Sequence, residues 1–273
     1  MRLRPVSLSL ALAMAAALAL PVTAQAHRAW ILPAATHLAG EQAWVTLDAA
    51  ISNDIFHTDY HAMSLDGVTV TGPDGQPLEL LNAHRGRHRS TFDLNLTDNG
   101  SYRVSSVSSG WVIAFWEENG EAQRWRGGAD DLQAAIPPQA ENVRVNEQHR
   151  RLETFITLGQ PSDEVLAVSG EGLELQADTH PNDLFAGESA VFTLLIDGEP
   201  AADVDVEVIP DGMRYRDQQQ MQTLTTDKAG RFQVTWPRAG MYWLSASYSD
   251  DKASLPGASR RASYTVTLEV LPL

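Results

Sequence analysis

Phe92-Asp93-Leu94-Asn95-Leu96-Thr97-Asp98-Asn99-Gly100-Ser101-Tyr102 decides the fold, because its frame returns 140 positions later as Phe232-Gln233-Val234-Thr235-Trp236-Pro237-Arg238-Ala239-Gly240-Met241-Tyr242. Each stretch opens on apolar and polar residues in alternation, which is the period of a strand with one buried face. Each then reaches a turn glycine and, two residues on, an inward tyrosine that opens the next strand. Working outward, short runs of the same kind fill the chain. They are Trp44–Leu47, Gly67–Val70, Ser90–Leu94, Tyr102–Val104 and Trp111–Phe115, then Val191–Ile196, Val204–Val208, Phe232–Thr235, Tyr242–Leu244 and Tyr264–Leu268. Pro73-Asp74-Gly75, Asp98-Asn99-Gly100 and Asp197-Gly198 punctuate them as turns. The pattern predicts an all-β protein made of two tandem β-sandwiches. Pro161, Gly170 and Gly172 interrupt the strand pattern, so the first domain is expected over 27–165 and the second over 172–273. Helix is expected only as a turn or two around Ala129 to Ala135, ended by Pro137-Pro138.

The paired Gly-x-Tyr frames fit immunoglobulin-like sandwiches, where such a tyrosine packs at a sheet corner. The second half has a further signature. Thr225-Thr226-Asp227-Lys228-Ala229-Gly230-Arg231-Phe232 resembles the strand-joining turn of transthyretin-like and carboxypeptidase-regulatory modules. The resemblance implies a fold and carries no chemistry of its own.

The first 26 residues read as a secretory signal peptide. Arg2 and Arg4 precede an apolar run from Leu8 to Leu20, and Ala24-Gln25-Ala26 supplies small residues for cleavage. Cleavage after Ala26 makes His27 the first residue, whose α-amine and imidazole Nδ1 together form a metal chelate. The rival site after Ala24 leaves Gln25-Ala26-His27, which also chelates Cu(II) or Ni(II) through the amine, amides and imidazole. The chain is therefore expected to be exported. Loss of Arg2 and Arg4 takes the formal charge from −15 to −17. A surface so acidic argues against nucleic acid and suits a protein that meets cations. With no cysteine, there are neither disulfides nor thiolate ligands, and no second apolar run long enough to span a membrane follows the leader.

The histidines read either as metal ligands or as solvated residues of polar loops. Asp54, His57, Asp59 and His61 crowd into nine residues, Asn53 to His61. On an extended segment His57, Asp59 and His61 share one face; on a helix His57 and His61 do. Imidazole with carboxylate suits divalent copper, nickel, cobalt or zinc. His180 lies beside Asn182-Asp183-Leu184-Phe185, which repeats the pattern of Asn53-Asp54-Ile55-Phe56. The two loops are expected to be either matching structural plugs or converging walls of a site that includes the amino terminus. His84 and His88 sit among Arg85, Arg87 and Arg89, which repel a cation, so that stretch reads as a hairpin edge or anion-contacting loop. His37 and His149 read as surface residues. No phosphate loop, nucleophile elbow or His-Glu-x-x-His string is present.

His27-Arg28-Ala29-Trp30-Ile31-Leu32-Pro33, Asn53–Ala62, Thr179–Phe185, Arg214-Tyr215-Arg216-Asp217 and Trp236–Leu244 resemble the domain of unknown function 4198 (NikM-like) family. The resemblance spans nearly the whole mature chain and implies a periplasmic component of nickel or cobalt uptake. It carries a ligand role onto His27 first, then His61 and His180, and last His57, with Asp59 added by the local spacing. The function expected is capture of nickel, cobalt or copper and its presentation to an outer-membrane receptor or inner-membrane permease, without turnover. Two other functions stay open. One is a copper oxidative enzyme using a histidine brace, with His61 or His180 and Tyr60 completing the site; the other is a metal-free interaction module.

Overall fold

The structure, a computed structural model, describes residues 27–273; the expected leader lies outside the described residues. The first half runs through β1 (Arg28–Pro33), β2 (His37–Leu38), β3 (Ala43–Ser52), β4 (His61–Ala62), β5 (Val68–Thr71) and β6 (Pro77–Leu78). It continues with β7 (Leu81–Arg85), β8 (Ser90–Leu96), β9 (Gly100–Glu118), β10 (Glu121–Gly128), the one-turn helix α1 (Leu132–Ala135) and β11 (Glu141–Leu158). The second half comprises β12 (Leu173–Ala177), β13 (Ser189–Ile196), β14 (Glu199–Pro200), β15 (Asp205–Pro210), β16 (Gln222–Thr225), β17 (Arg231–Thr235), β18 (Gly240–Asp250) and β19 (Ser259–Val270). Every run expected as a strand lies within or overlaps one of these, and the helical turn falls at 129–135. Among the described residues no helix is long and apolar enough to cross a membrane.

The all-β reading holds, and the halves share a sheet. One ten-stranded sheet runs β16-β15-β18-β19-β11-β9-β5-β6, with β10 on β9 and β2 on β11. The join is the parallel pairing of β11 with β19, from Asn146 opposite Ser259 to Thr154 opposite Thr267. A five-stranded sheet (β1-β3-β8-β7, with β4 on β3) covers one part of it, and a four-stranded sheet (β12-β13-β14, with β17 on β13) covers the other.

Alternation along the strands produces two cores. Val45, Leu47, Phe92, Leu94 and Leu96 on the small sheet meet Tyr102, Val104, Leu152, Ile156 and Leu158 on the large one. In the second half Phe192, Leu194, Phe232 and Val234 meet Val206, Val208, Tyr242, Leu244, Tyr264 and Val266. Strand β11 serves both: Leu152 and Ile156 face the first core while Phe155 enters the second. Residues 152–158 are therefore buried throughout, as for a strand covered on both faces. A third cluster of Trp30, Ala50, Ile55, Ile209, Met213 and Trp243 packs β1, β3 and the loop after β3 against the second half.

The repeated frame is a repeated corner. The Tyr102 hydroxyl donates to Asp98 O at 2.7 Å, and the Tyr242 hydroxyl donates to Arg238 O at 2.8 Å, each four residues back. Gly100 and Gly240 take φ of 138° and 135°, and a Cβ at Gly100 would sit 2.6 Å from Pro73 Cβ. Glycine is required there by both conformation and space. The Thr226–Gly230 turn carries the chain from β16 in the large sheet to β17 in the small one. Asp227 Oδ1 accepts from the amides of Ala229 (2.8 Å) and Arg231 (2.9 Å), and Thr226 Oγ1 donates to Ala201 O (2.7 Å).

Candidate metal centre

The candidate centre grows out of the β1–β3 pairing. Arg28 stands opposite Ser52, so His27 and Asn53 are the next residues beyond the ladder on each strand. Trp30, 1 % exposed, donates its indole N–H to Ser52 Oγ at 2.7 Å, and Ser52 Oγ donates to Asp54 O at 2.5 Å. That relay fixes where the loop leaves β3. Ile55 then drops into the third cluster, and Phe56 lies edge-on to Trp30 with centroids 5.7 Å apart. Phe56 has φ of 58°, a left-handed conformation costly for a bulky residue and sustained by its seat against Trp30. Two apolar plugs inside and a reversed backbone leave Asp54, His57 and Asp59 grouped on the outer side.

Those three form the one group of three or more candidate ligand side chains found among the described residues, with ligand atoms all within 4.8 Å of one another. All three are half-buried. His57 Nδ1 lies 3.8 Å from Asp59 Oδ2. Asp59 is held from the other side: Oδ1 accepts the Asn53 amide at 2.9 Å and Oδ2 accepts Asn53 Nδ2 at 3.3 Å. Donors around one ion at about 2.0–2.2 Å stand no more than roughly 4.4 Å apart, so a spread of this size closes onto a metal with sub-ångström movement. Two carboxylates and an imidazole are a donor set for a divalent ion of intermediate hardness. The group fits a metal without rearrangement of the fold.

His27, the first described residue, abuts this group. The His27 ring stacks on Tyr60 with centroids 3.8 Å apart and planes at 11°, and Tyr60 follows Asp59 directly. Arg28 Nη1 donates to Asn53 O at 3.3 Å, Nη2 donates to Gln219 Oε1 at 3.1 Å, and the guanidinium lies over the Trp243 ring at 5.6 Å. Trp243 Nε1 donates to Ala29 O at 3.0 Å. The residue after His27 is thus pinned to both halves, so the position of His27 is set by the fold.

The remaining predicted ligands separate. His61 begins β4 opposite Ile51, exposed, with its ring edge-on to Tyr60 at 5.1 Å; it neighbours the centre and stands outside the three-residue group. His180 is elsewhere. Its Nδ1 accepts the Asn182 amide at 3.0 Å, and its Nε2 bonds Ser101 Oγ (3.2 Å) and Ser162 O (3.1 Å). Asn182 O in turn receives His37 Nε2 at 2.6 Å, which places the His180 loop beside β2, past the far end of β1. The six residues of β1 separate that end from His27 by roughly 20 Å. Convergence of His180 on the amino terminus is therefore corrected: the loop is a polar joint between the halves, with Asn182 bonding Phe155 O and Thr157 Oγ1. His37 is no free surface residue either, since it belongs to this joint.

His84 and His88 lie in the β7–β8 hairpin, as expected for an edge, and His88 Nδ1 meets Tyr60 O at 3.2 Å. Asp54 completes the group that His57 and Asp59 begin. Its sequence signal was the crowding of acids and histidines in Asn53–His61, but only the left-handed turn at Phe56 selects it over His61.

No curated protein matches the chain. Among solved structures, it is similar to the D0–D1 domain of intimin at 13% identity, covering 87% of this chain and 96% of that one, with a TM-score of 0.22. It is also similar to a marsupial T cell receptor (10% identity, 90% and 74% covered, TM-score 0.20) and to a putative membrane anchored protein from Corynebacterium diphtheriae (12%, 88% and 53%, 0.20). The family described as "Domain of unknown function (DUF4198)" matches residues 24–250, and the chain belongs to that family.

Proposed function

We propose that this protein is an exported divalent-metal-binding protein that captures nickel, cobalt or copper in the periplasm and hands it to a membrane receptor or permease. The observation that carries the reading is the Asp54–His57–Asp59 group, with ligand atoms within 4.8 Å, lying next to the Tyr60 on which His27 stacks. Asp54, His57 and Asp59 supply three ligands. In a chain beginning at His27, the free amine and imidazole add a chelate at the same end of β1, and its affinity rises with pH as the amine loses its proton. Partly exposed ligands suit a cargo that must be released, whereas a structural metal is normally enclosed by four protein ligands. The role assigned is binding without turnover.

Isothermal titration of the chain beginning at His27, carried out separately with Ni(II), Co(II) and Cu(II), tests this. One ion per chain is expected. His57→Ala should weaken binding about tenfold or more, and one added glycine before His27 should weaken it too, while His84→Ala leaves it unchanged. No stoichiometric binding, or equal affinity for native and His57→Ala proteins, would falsify the reading.

A further inference from the structure

The part of the large sheet formed by β10, β9, β11 and β19 carries a set of arginines on one face. On β9 that face presents Trp111, Ile113 and Phe115. Arg126 stands opposite Ile113 and Arg124 opposite Phe115 on β10. Arg144 is opposite Phe115 on β11, and Gln148 is opposite Trp111. Arg261 on β19 is opposite Gln148, and Arg150 on β11 is opposite Ser263. Residues directly opposite one another share a face, so five arginines and two aromatic rings lie together. The guanidinium of Arg126 covers the Trp111 ring at 5.2 Å, and that of Arg124 covers Phe115 at 5.9 Å.

Among the described residues, none of the five arginines forms an ion pair or a side-chain hydrogen bond, although Arg89, Arg151, Arg238 and Arg260 all have carboxylate partners. Burial lowers the pKa of Arg150 most, and the charges of Arg126, Arg261 and Arg124 lower it further. Glu117, on the same face toward the hairpin tip, is held by Asn142 Nδ2 at 2.9 Å. A chain of formal charge −15 thus concentrates uncompensated positive charge beside an indole that is 44% exposed. The opposite face of the same strands is covered, with Val112 and Ala114 fully buried.

One more observation gives the occupant its shape. Among the described residues strand β10 pairs with β9 alone, so its outer edge from Glu121 to Gly128 keeps a row of backbone donors and acceptors unpaired by them. We propose that this edge and face dock an extended acidic segment of a partner protein, which adds as a strand to β10 and sets alternate carboxylates against Arg124 and Arg126. Alternate residues of a strand are spaced by roughly 6.8 Å on one face, so carboxylates at every second position match arginines at every second position. Guanidinium forks held over aromatic rings are pre-ordered for carboxylate. An anionic bilayer fits less well, because Glu117, Glu118 and Glu121 at the hairpin tip would be pressed against it. A nucleic acid strand would run beyond the patch onto a surface of its own sign.

The probe is a fluorescein-labelled twelve-residue peptide of alternating Glu and Thr, titrated by anisotropy with the chain beginning at His27. Saturable binding is expected. It should weaken tenfold or more in Arg124→Glu/Arg126→Glu and fall as salt rises from about 50 to 500 mM. Should the charge reversal lose its thermal transition, Arg124→Gln/Arg126→Gln decides the matter with the same expected direction. No binding, equal binding of the matching Lys/Thr peptide, or undiminished binding by the folded variants overturns the proposal. So does tighter association with phosphatidylglycerol vesicles or oligo-dT than with the acidic peptide.

Discussion

Tyr102 and Tyr242 each return their hydroxyl to a carbonyl four residues back, but Tyr102 also accepts the Asp98 amide at 2.9 Å. Replacing a tyrosine by phenylalanine strands those groups, at about 1 kcal/mol for each bond. Urea unfolding should therefore find Tyr102→Phe more destabilising than Tyr242→Phe. A second residue-scale prediction concerns the joint beside His180. Glu269, 3.9 Å from His37 Nδ1, lifts the imidazole above its usual 6.5 against the opposing effect of burial, and the Asn182 carbonyl assists. His37, aided by Thr36, in turn holds Glu269 below its usual 4.5. The raised group contributes stability that is complete below pH 6.5 and lost as pH rises through its folded value. The lowered group contributes stability present above pH 4.5 and lost as pH falls through its folded value. The joint is strongest between those limits. His37→Gln should cost about 1 kcal/mol near pH 5.5 and visibly less near pH 8.5, measured by urea midpoints at both. An equal cost at the two pH values would refute the coupling.

At the scale of elements, the corners were legible and the longest connecting strand was not. Phe92–Tyr102 and Phe232–Tyr242 announce themselves because a glycine at φ near 135–138° admits no common substitute. Gly100→Ala should cost about 2 kcal/mol or more through strain and its approach to Pro73. The test is a lowered urea midpoint with an unchanged slope. Strand β11 hid itself, since Glu141–Arg151 is polar and shows no clear period, while 152–158 is buried on both faces and loses alternation. Strand β1 shows no alternation for a similar reason: Trp30 packs with Ile209 and Trp243 in the third cluster, while its neighbour Ile31 enters the first core. The candidate centre was half legible. Clustering singled out Asn53–His61, yet period-two reasoning grouped His57, Asp59 and His61, whereas the turn at Phe56 substitutes Asp54 for His61. The likeness of the two Asn-Asp-aliphatic-Phe loops reflects the plug, with Ile55 and Leu184 buried at equivalent places.

On the scale of the whole molecule, the shared sheet changes what a domain means here. Phe155 and Val165 fall outside 172–273 but belong to the core of that half, and β11 covers the edge of β19. Phe155→Ala should accordingly destabilise the second half by about 3–5 kcal/mol. Calorimetry of the intact chain should show one transition, with calorimetric and van't Hoff enthalpies equal; two resolved transitions would indicate that the halves unfold apart. The same coupling holds β1 in place, because Arg28 and Ala29 contact Trp243 and Gln219 of the second half. The proposed metal centre lies beside that end of β1. A crystal structure of the chain beginning at His27, grown with Ni(II) and phased on its anomalous signal, tests it most directly. One nickel peak is expected about 2.0–2.2 Å from side-chain atoms of Asp54, His57 and Asp59. A structure with those three residues free of metal, or with nickel bound only at other histidines, would contradict it.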